Sequence, residues 1–405
     1  MNKIPFSPPR IDQSIIDSVV SALQSGWITT GPKTKALEKE ISSLTGTEKC
    51  LCVNSATAGM ELMLRWFGIG VGDEVIIPAY TYCSTANVVV HLGAKPVMVD
   101  VKESDLCLAI DQVEEHITER TKAIIGVDLG GLPVRSDQLI EIAEAHKSQF
   151  KPEGVNQEKL GRMLVMTDAA HSIGAQLHEG AAVLAADVSV YSFHAVKNLT
   201  TAEGGAINLN LKDKFDEDEI YKYLNSMSLH GQSKDALEKF GKGSWEYDVI
   251  DAGFKCNMPD VLAAIGLIEI GRYANDTLVK RAKIYNRYIE KLKDVNRITL
   301  PFMEDEDRIG SYHLFLLRLT EPNREKRDLI IERMAEEGIS LNVHYKPLPL
   351  LTAYASRGYT MDKYPVSDKL FNSVISLPVF YDLTLDQVDH VCERLKIILE
   401  EVLVG

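Results

Sequence analysis

Lys197 stands in the run Tyr191-Ser192-Phe193-His194-Ala195-Val196-Lys197-Asn198-Leu199-Thr200-Thr201, just after a short β-type segment and ahead of Glu203-Gly204-Gly205. Small and hydroxyl residues flank it, and a Gly-Gly turn follows. That placement suits Schiff-base chemistry. An amine in bulk water stays protonated and unreactive. One held in a fixed, partly desolvated pocket loses its proton more readily and can attack an aldehyde. A lone lysine after a strand also describes an ordinary solvated residue, so the assignment depends on what the rest of the chain supplies.

Three further groups fall where strands give way to helices. Val53-Asn54-Ser55-Ala56-Thr57-Ala58-Gly59 reads as a strand turning into the helix Met60 to Trp66. Small residues at Ser55, Ala56 and Thr57 allow close backbone approach, and free N–H groups at a helix start favour a phosphate. A plain helix cap by Ser55 or Thr57 is the competing reading. Val165-Met166-Thr167-Asp168-Ala169-Ala170-His171-Ser172 ends a strand on an acidic residue. Asp168 there can pair with a protonated ring nitrogen and hold the charge that makes a pyridinium ring an electron sink. His171 can donate to a phenolic oxygen of the same ring. A helix N-cap and a satisfied core histidine are the alternatives. In Pro78-Ala79-Tyr80-Thr81-Tyr82-Cys83-Ser84, Tyr82 can stack on a flat cofactor or only fill the core. Ser192, before the lysine, offers a hydroxyl to a phosphate. A helix start, a serine and a Schiff-base lysine together suit pyridoxal 5′-phosphate (PLP).

The elements that must position these groups alternate. Asp73 to Pro78, Lys95 to Asp100, Lys122 to Val127 and Arg162 to Thr167 are short apolar runs, with helical patterns such as Ser136 to His146 between them. Such alternation predicts a mainly parallel sheet covered on both faces, with ligands at the strand ends. Ile15, Ile16, Val19, Val20 and Leu23 recur at helical spacing, and Gly26 follows as a stop. The polar stretch Lys147 to Lys159 reads as a surface excursion. Met258 to about Val295 is helical, a spine leading out of the large domain. Beyond it, β-type runs (His313 to Leu319, Ile339 to Tyr345) mix with helices (Arg324 to Glu337, Thr384 to Val402), which suggests a small α+β domain.

The 405 residues fit a large domain plus a smaller one, and the net charge of −14 argues against nucleic acid or an anionic membrane as main partner. The chain start shows no signal-peptide pattern, and no apolar stretch is long enough to span a bilayer, so a cytoplasmic protein is expected. Six cysteines lack disulfide-framework spacing, and neither they nor the ten histidines sit at metal-ligand spacing, so no metal is expected.

Together these residues resemble the DegT/DnrJ/EryC1/StrS family of sugar aminotransferases, over nearly the whole chain. The resemblance implies an α/β protein of PLP-dependent transferase fold type I. A large domain of residues 1–275 would carry a mainly parallel seven-stranded sheet, and residues 276–405 a smaller α+β C-terminal domain. In the family pattern, Tyr82 matches the aromatic that stacks on the pyridine ring. Asp168 matches the partner of its nitrogen, His171 the residue near its hydroxyl, Ser192 a phosphate ligand and Lys197 the Schiff-base lysine. Ser25 to Pro32, with Trp27, Thr29 and Thr30, looks like the substrate-side loop. Asn342-Val343-His344-Tyr345-Lys346-Pro347-Leu348 resembles a segment near the sugar nucleotide, and Ser376-Leu377-Pro378 a short motif near the last strand. Gly253 to Met258 resembles the segment that reaches the partner's cofactor phosphate in a homodimer with shared sites. Many relatives carry Asn-Tyr-Arg where this chain has Lys255-Cys256-Asn257, so either Lys255 or Asn257 would make that contact.

The implied reaction moves an amino group from L-glutamate to a keto group, by the motif wording at C4, of a nucleotide-linked deoxysugar. Some relatives are sugar dehydratases with histidine in place of the lysine, a pattern that Lys197 does not match. Another PLP reaction on the same fold, or a non-catalytic PLP-binding regulator, would keep the same cofactor residues.

Overall fold

The computed structural model describes residues 3–233 and 247–403. Its centre is a seven-stranded sheet of β1 (Lys49–Val53), β2 (Glu74–Pro78), β3 (Lys95–Val99), β4 (Thr121–Val127), β5 (Leu164–Asp168), β6 (Val188–Ser192) and β7 (Gly205–Leu209). The spatial order is β1-β7-β6-β5-β4-β2-β3. Strand β7 alone runs antiparallel to its neighbours β1 and β6, and the pairs β6-β5, β5-β4, β4-β2 and β2-β3 are parallel. Strands β2, β4, β5 and β7 are buried at every residue. Such near-continuous apolar runs are expected of a parallel sheet covered on both faces. One large cluster packs on it, including Met60, Met63, Val75, Ile77, Ile124, Val165, Val188 and Ile207.

Parallel strands bring their C-terminal ends to one rim. Strand β1 ends at Val53 ahead of Ser55, β2 ends ahead of Tyr82, β5 ends on Asp168 and β6 ends on Ser192. The register fixes their neighbours: Val127 faces Asp168, Asp168 faces Val190, and Ser192 and Val53 both face Gly205.

A second apolar core lies around Tyr285, Tyr288, Phe315, Leu317, Ile375, Val391 and Leu395. It belongs to the helices Leu278–Leu292 and Leu385–Leu403 and to a small antiparallel sheet of Ile298–Thr299, Phe315–Leu319 and Val374–Leu377. The chain's start joins this core: Ile4 is buried and pairs with the segment Gly338–Ser340. The helix Asp260–Arg272 runs through a π-turn at Tyr273–Thr277 into Leu278–Leu292, as the helical pattern from Met258 suggests.

Two segments differ from expectation. Ile339 to Tyr345 forms no strand. Its backbone makes single bridges to two different neighbours, Ile339 to Ile4 and Asn342 to Ser376, and leads into His344 and Tyr345. The Lys147 to Lys159 stretch is docked on the protein surface. It contains the helix Val155–Leu160, whose Gln157 is fully buried. Asn156 Nδ2 donates to Trp66 O at 2.7 Å, and Gln157 Nε2 donates to Gly68 O at 3.3 Å. These polar residues serve carbonyls at and just beyond the end of the helix Ala56–Trp66.

Gln157 Oε1 also accepts from Glu153 N at 3.0 Å. Gln157→Ala removes a fully buried amide together with its bonds to Gly68 O and Glu153 N and is expected to cost about 1–3 kcal/mol of unfolding free energy in urea titrations. Wild-type stability in that variant would contradict the docked reading.

Candidate active site

Lys197 lies five residues beyond β6, in a loop whose first turn closes with Lys197 N donating to His194 O at 2.9 Å. The residue is half-buried, and its amine makes no hydrogen bond or ion pair among the described residues. Burial lowers its pKa to about 8, against a smaller upward pull from the Asp168 carboxylate. Asp168 is buried, accepts from Thr85 Oγ1 at 2.8 Å and from Ala170 N at 3.3 Å. Burial raises its pKa, and Thr85 and then Lys197 oppose the rise. Thr85, on the helix Ser84–His91, lies 3.1 Å from the hydroxyl of Thr81 just ahead of that helix, so the hydroxyl that reaches the carboxyl is itself held in place.

The His171 ring is fixed at both nitrogens. Gly130 N donates to Nδ1 at 3.1 Å, so Nε2 carries the proton and donates to Tyr345 Oη at 3.1 Å. Burial, then the positive charge of Lys197, hold this imidazole well below its ordinary pKa and therefore neutral. His344 Nδ1 lies 2.8 Å from Ser376 Oγ, which gives the Ser-Leu-Pro motif a contact, and burial pushes its pKa down to about 4. Phe6 stacks on His344 at 5.5 Å between ring centroids. The Tyr345 ring lies 5.7 Å from that of Tyr82. Tyr82 is 58% exposed, a large aromatic face left open beside the lysine pocket.

The start of the helix Ala56–Trp66 lies against Gly205, the partner of Ser192 at the end of β6. Ser55 caps it by accepting from Ala58 N at 3.1 Å, which leaves the N–H groups of Ala56 and Thr57 without partners in their own helix. Gly205 faces this turn so closely that a Cβ there would sit 2.5 Å from Ala56 N. Ser192 pairs with Gly205 across the strands, and its Oγ accepts from His194 N at 3.4 Å.

The remaining candidates form a separate patch. Asn257 bridges to Val53, and its Nδ2 donates to Thr30 Oγ1 at 2.5 Å. Thr29 O accepts from Asp260 N at 3.0 Å, Thr30 Oγ1 donates to Met258 O at 2.6 Å, and Trp27 Nε1 donates to Thr30 O at 3.0 Å. Lys255 is exposed and reaches Asn257 Oδ1 at 2.5 Å. Trp27, Thr29, Thr30, Lys255 and Asn257 thus gather at the outer edge of β1, whereas Lys197, Asp168, His171, Tyr82, His344 and Tyr345 share the inner pocket.

Sequence reasoning missed Thr85, Asn198 and His313. The hydroxyl repeat Thr81-x-x-x-Thr85, one helical turn apart, was a readable signal for the first. His313 carries none, because its partner Asn198 is 115 residues away.

A half-buried lysine with a lowered pKa, a buried aspartate in its field, a helix start packed against a glycine and an open tyrosine ring form the donor set that a pyridoxal phosphate ring and phosphate require, and they define a PLP-dependent enzyme. The model of the DegT/DnrJ/EryC1/StrS aminotransferase family matches residues 9–396, and the chain belongs to that family. Spore coat polysaccharide biosynthesis protein SpsC of Bacillus subtilis (strain 168) is 32% identical over 98% of this chain and 97% of its own. The putative sugar aminotransferase Spr1654 from Streptococcus pneumoniae, in its PMP-form, superposes with a TM-score of 0.95 at 43% identity, covering 98% of this chain and 100% of that one. Its PLP-form gives 0.95 at 42%, over 99% and 100%. Helicobacter pylori PseC, an aminotransferase involved in the biosynthesis of pseudoaminic acid, gives 0.87 at 25%, over 99% and 100%. Among the described residues no cluster of His, Cys, Asp or Glu could hold a metal, and no helix is long and apolar enough to cross a membrane.

Two outcomes follow from the geometry. Gly205→Ala forces its new methyl against the helix start and is expected to weaken PLP binding by about 1–3 kcal/mol, measured by equilibrium dialysis. Unchanged affinity would sink the idea that this turn cradles the phosphate. PLP capture by apoprotein should speed up as pH rises through about 8, where Lys197 becomes a free amine. A midpoint near the ordinary lysine value would show that the pocket is not dry.

Proposed function

We propose that this aminotransferase moves the amino group of L-glutamate to a keto carbon, C4, of a nucleotide-linked deoxysugar, for cell-surface glycan or related aminosugar biosynthesis. The observation that carries the transfer chemistry is the half-buried amine of Lys197, without a hydrogen bond among the described residues and within electrostatic reach of the buried Asp168. The sugar class is supported by the polysaccharide and sugar-aminotransferase relatives.

When bound, PLP supplies an electron-withdrawing ring that makes a substrate C–H acidic. Lys197 would hold the cofactor at rest and, once displaced, carry the proton between substrate and cofactor carbons. Its pKa near 8 suits both directions of that transfer. Asp168 would keep a ring nitrogen protonated, since its Oδ2 is already oriented by Thr85. Tyr82 would cover the ring face, and His171 would face the ring hydroxyl. Ser192, Ser55 and the N–H groups of Ala56 and Thr57 would take the phosphate.

The outer patch belongs to the same reading. Lys255 and Asn257 would reach a second copy's phosphate across a homodimer, and Trp27, Thr29 and Thr30, with His344 and Tyr345, would bound the sugar nucleotide. The two bodies of residues 1–275 and 276–405 would meet at the π-turn Tyr273–Thr277. A cytoplasmic location completes the proposal, since sugar nucleotides are made there.

The test is spectroscopic. Protein with PLP should show a visible band that L-glutamate bleaches to the amine form of the cofactor, and Lys197→Ala should lack the band. The glutamate-treated enzyme should then aminate a 4-keto sugar nucleotide, read by mass spectrometry. A bound cofactor indifferent to glutamate would contradict the donor, and a fully active monomer would contradict the shared site.

A further inference from the structure

Asn198, next to the lysine, is buried and fully engaged. Its Nδ2 donates to Ser311 O at 2.8 Å and to Tyr273 Oη at 3.3 Å. Its Oδ1 lies 2.7 Å from His313 Nδ1. An amide oxygen only accepts, so His313 must carry its proton on Nδ1. The His313 ring lies 4.4 Å from the His171 ring, centroid to centroid.

The short segment Ser311–Leu314 therefore grips two loops at once. Toward the cofactor side, Ser311 Oγ donates to His171 O at 2.5 Å, while Ser311 N donates to Gly131 O and His313 N and Leu314 N donate to Gly130 O, at 2.9–3.1 Å. Gly130 is the residue whose N–H fixes the His171 tautomer. Toward the lysine side, Ser311 O and His313 Nδ1 hold Asn198. Gly131 has φ +104°, and a Cβ there would sit 2.3 Å from Ser311 Oγ, so the grip leaves no room for a side chain. His313 is itself anchored, because the buried Arg281 donates to Tyr312 O at 3.1 Å and to His313 O at 2.8 Å.

We infer that His313 is a positioning residue for the amino-transfer reaction: through Asn198 it clamps the lysine loop against the His171 loop and keeps water from the Lys197 amine. The inference rests on Lys197 being the Schiff-base residue. It is a neutral clamp, since burial above all, with the Lys197 charge adding to it, holds the imidazole well below its ordinary pKa. A protonated ring would place a second cation beside the amine. The titratable groups around Lys197 are Asp168, His171, His313 and His344 on the pocket side, with Arg10, Glu269 and Arg281 around the small cavity behind the loop. Loosening the clamp admits water, which removes the desolvation that depresses the lysine.

The experiment follows the pH dependence of PLP capture by the apoprotein, which needs no amino donor or sugar. In His313→Phe, which keeps a ring but loses the donor, the capture midpoint is expected to rise from near 8 by about one unit, so that capture at pH 7 slows about tenfold. His313→Asn places a donor where Nδ1 was and should restore the wild-type midpoint. Asn198→Leu, which breaks the clamp from the other end, should reproduce the rise if His313→Phe does not fold. A wild-type midpoint in either loss variant, or equal slowing in His313→Phe and His313→Asn, would overturn the inference. Failure of the underlying reading looks different: Lys197→Ala would still capture PLP covalently.

Discussion

Everything in the pocket depends on holding an amine and a carboxylate in one place with little water. Desolvation disfavours both charged forms, so it lowers Lys197 and raises Asp168, while their mutual attraction partly restores each. A lysine on the surface would gain nothing from Asp168, and an aspartate alone in an apolar core would simply protonate. The pair persists because each group has local support. Asp168 has Thr85 and Ala170 N, and Lys197 has a loop tied down on both sides.

The fold supplies that support by topology. Four strand ends of a buried sheet converge on one rim, and the antiparallel strand Gly205–Leu209 brings Gly205 against the start of the helix Ala56–Trp66. The second core sends three pieces back to the same rim: Ser311–His313 onto the lysine and histidine loops, His344 and Tyr345 over the pocket, and Ser376 against His344. Tyr80 Oη donates to His344 O at 2.7 Å, so the aromatic strand end that carries Tyr82 also fastens the roof. The neutral histidines fit this design. His171, His313 and His344 are all pushed down, chiefly by burial and further by the charge of Lys197. They orient protons without adding positive charge that would compete with the lysine.

The parts legible in the sequence were those whose chemistry and position are both local. Asp168 and Ser192 each stand at the end of a recognisable strand, Lys197 follows the second of these by five residues, and small residues announce Ser55 to Thr57 as a close-approach turn. The parallel sheet was readable because its strands are buried on both faces and spell unbroken apolar runs. Features made by distant pairs were not readable. Nothing around His313 marks it as different from a core histidine until Asn198 is placed 2.7 Å away. The polar stretch at Lys147 to Lys159 reads as solvated because its amides look like surface residues, whereas Asn156 and Gln157 face carbonyls at Trp66 and Gly68. Ile339 to Tyr345 has strand composition, yet its backbone partners lie on two different neighbours.

The central claim is that Lys197 is the residue that carries the cofactor. Reduction of the PLP-loaded protein with borohydride would fix any lysine–cofactor bond irreversibly, and peptide mass mapping would locate it. The account requires a single modified peptide, with the pyridoxyl group on Lys197. Label on another lysine, or none on a protein that binds PLP, would contradict it.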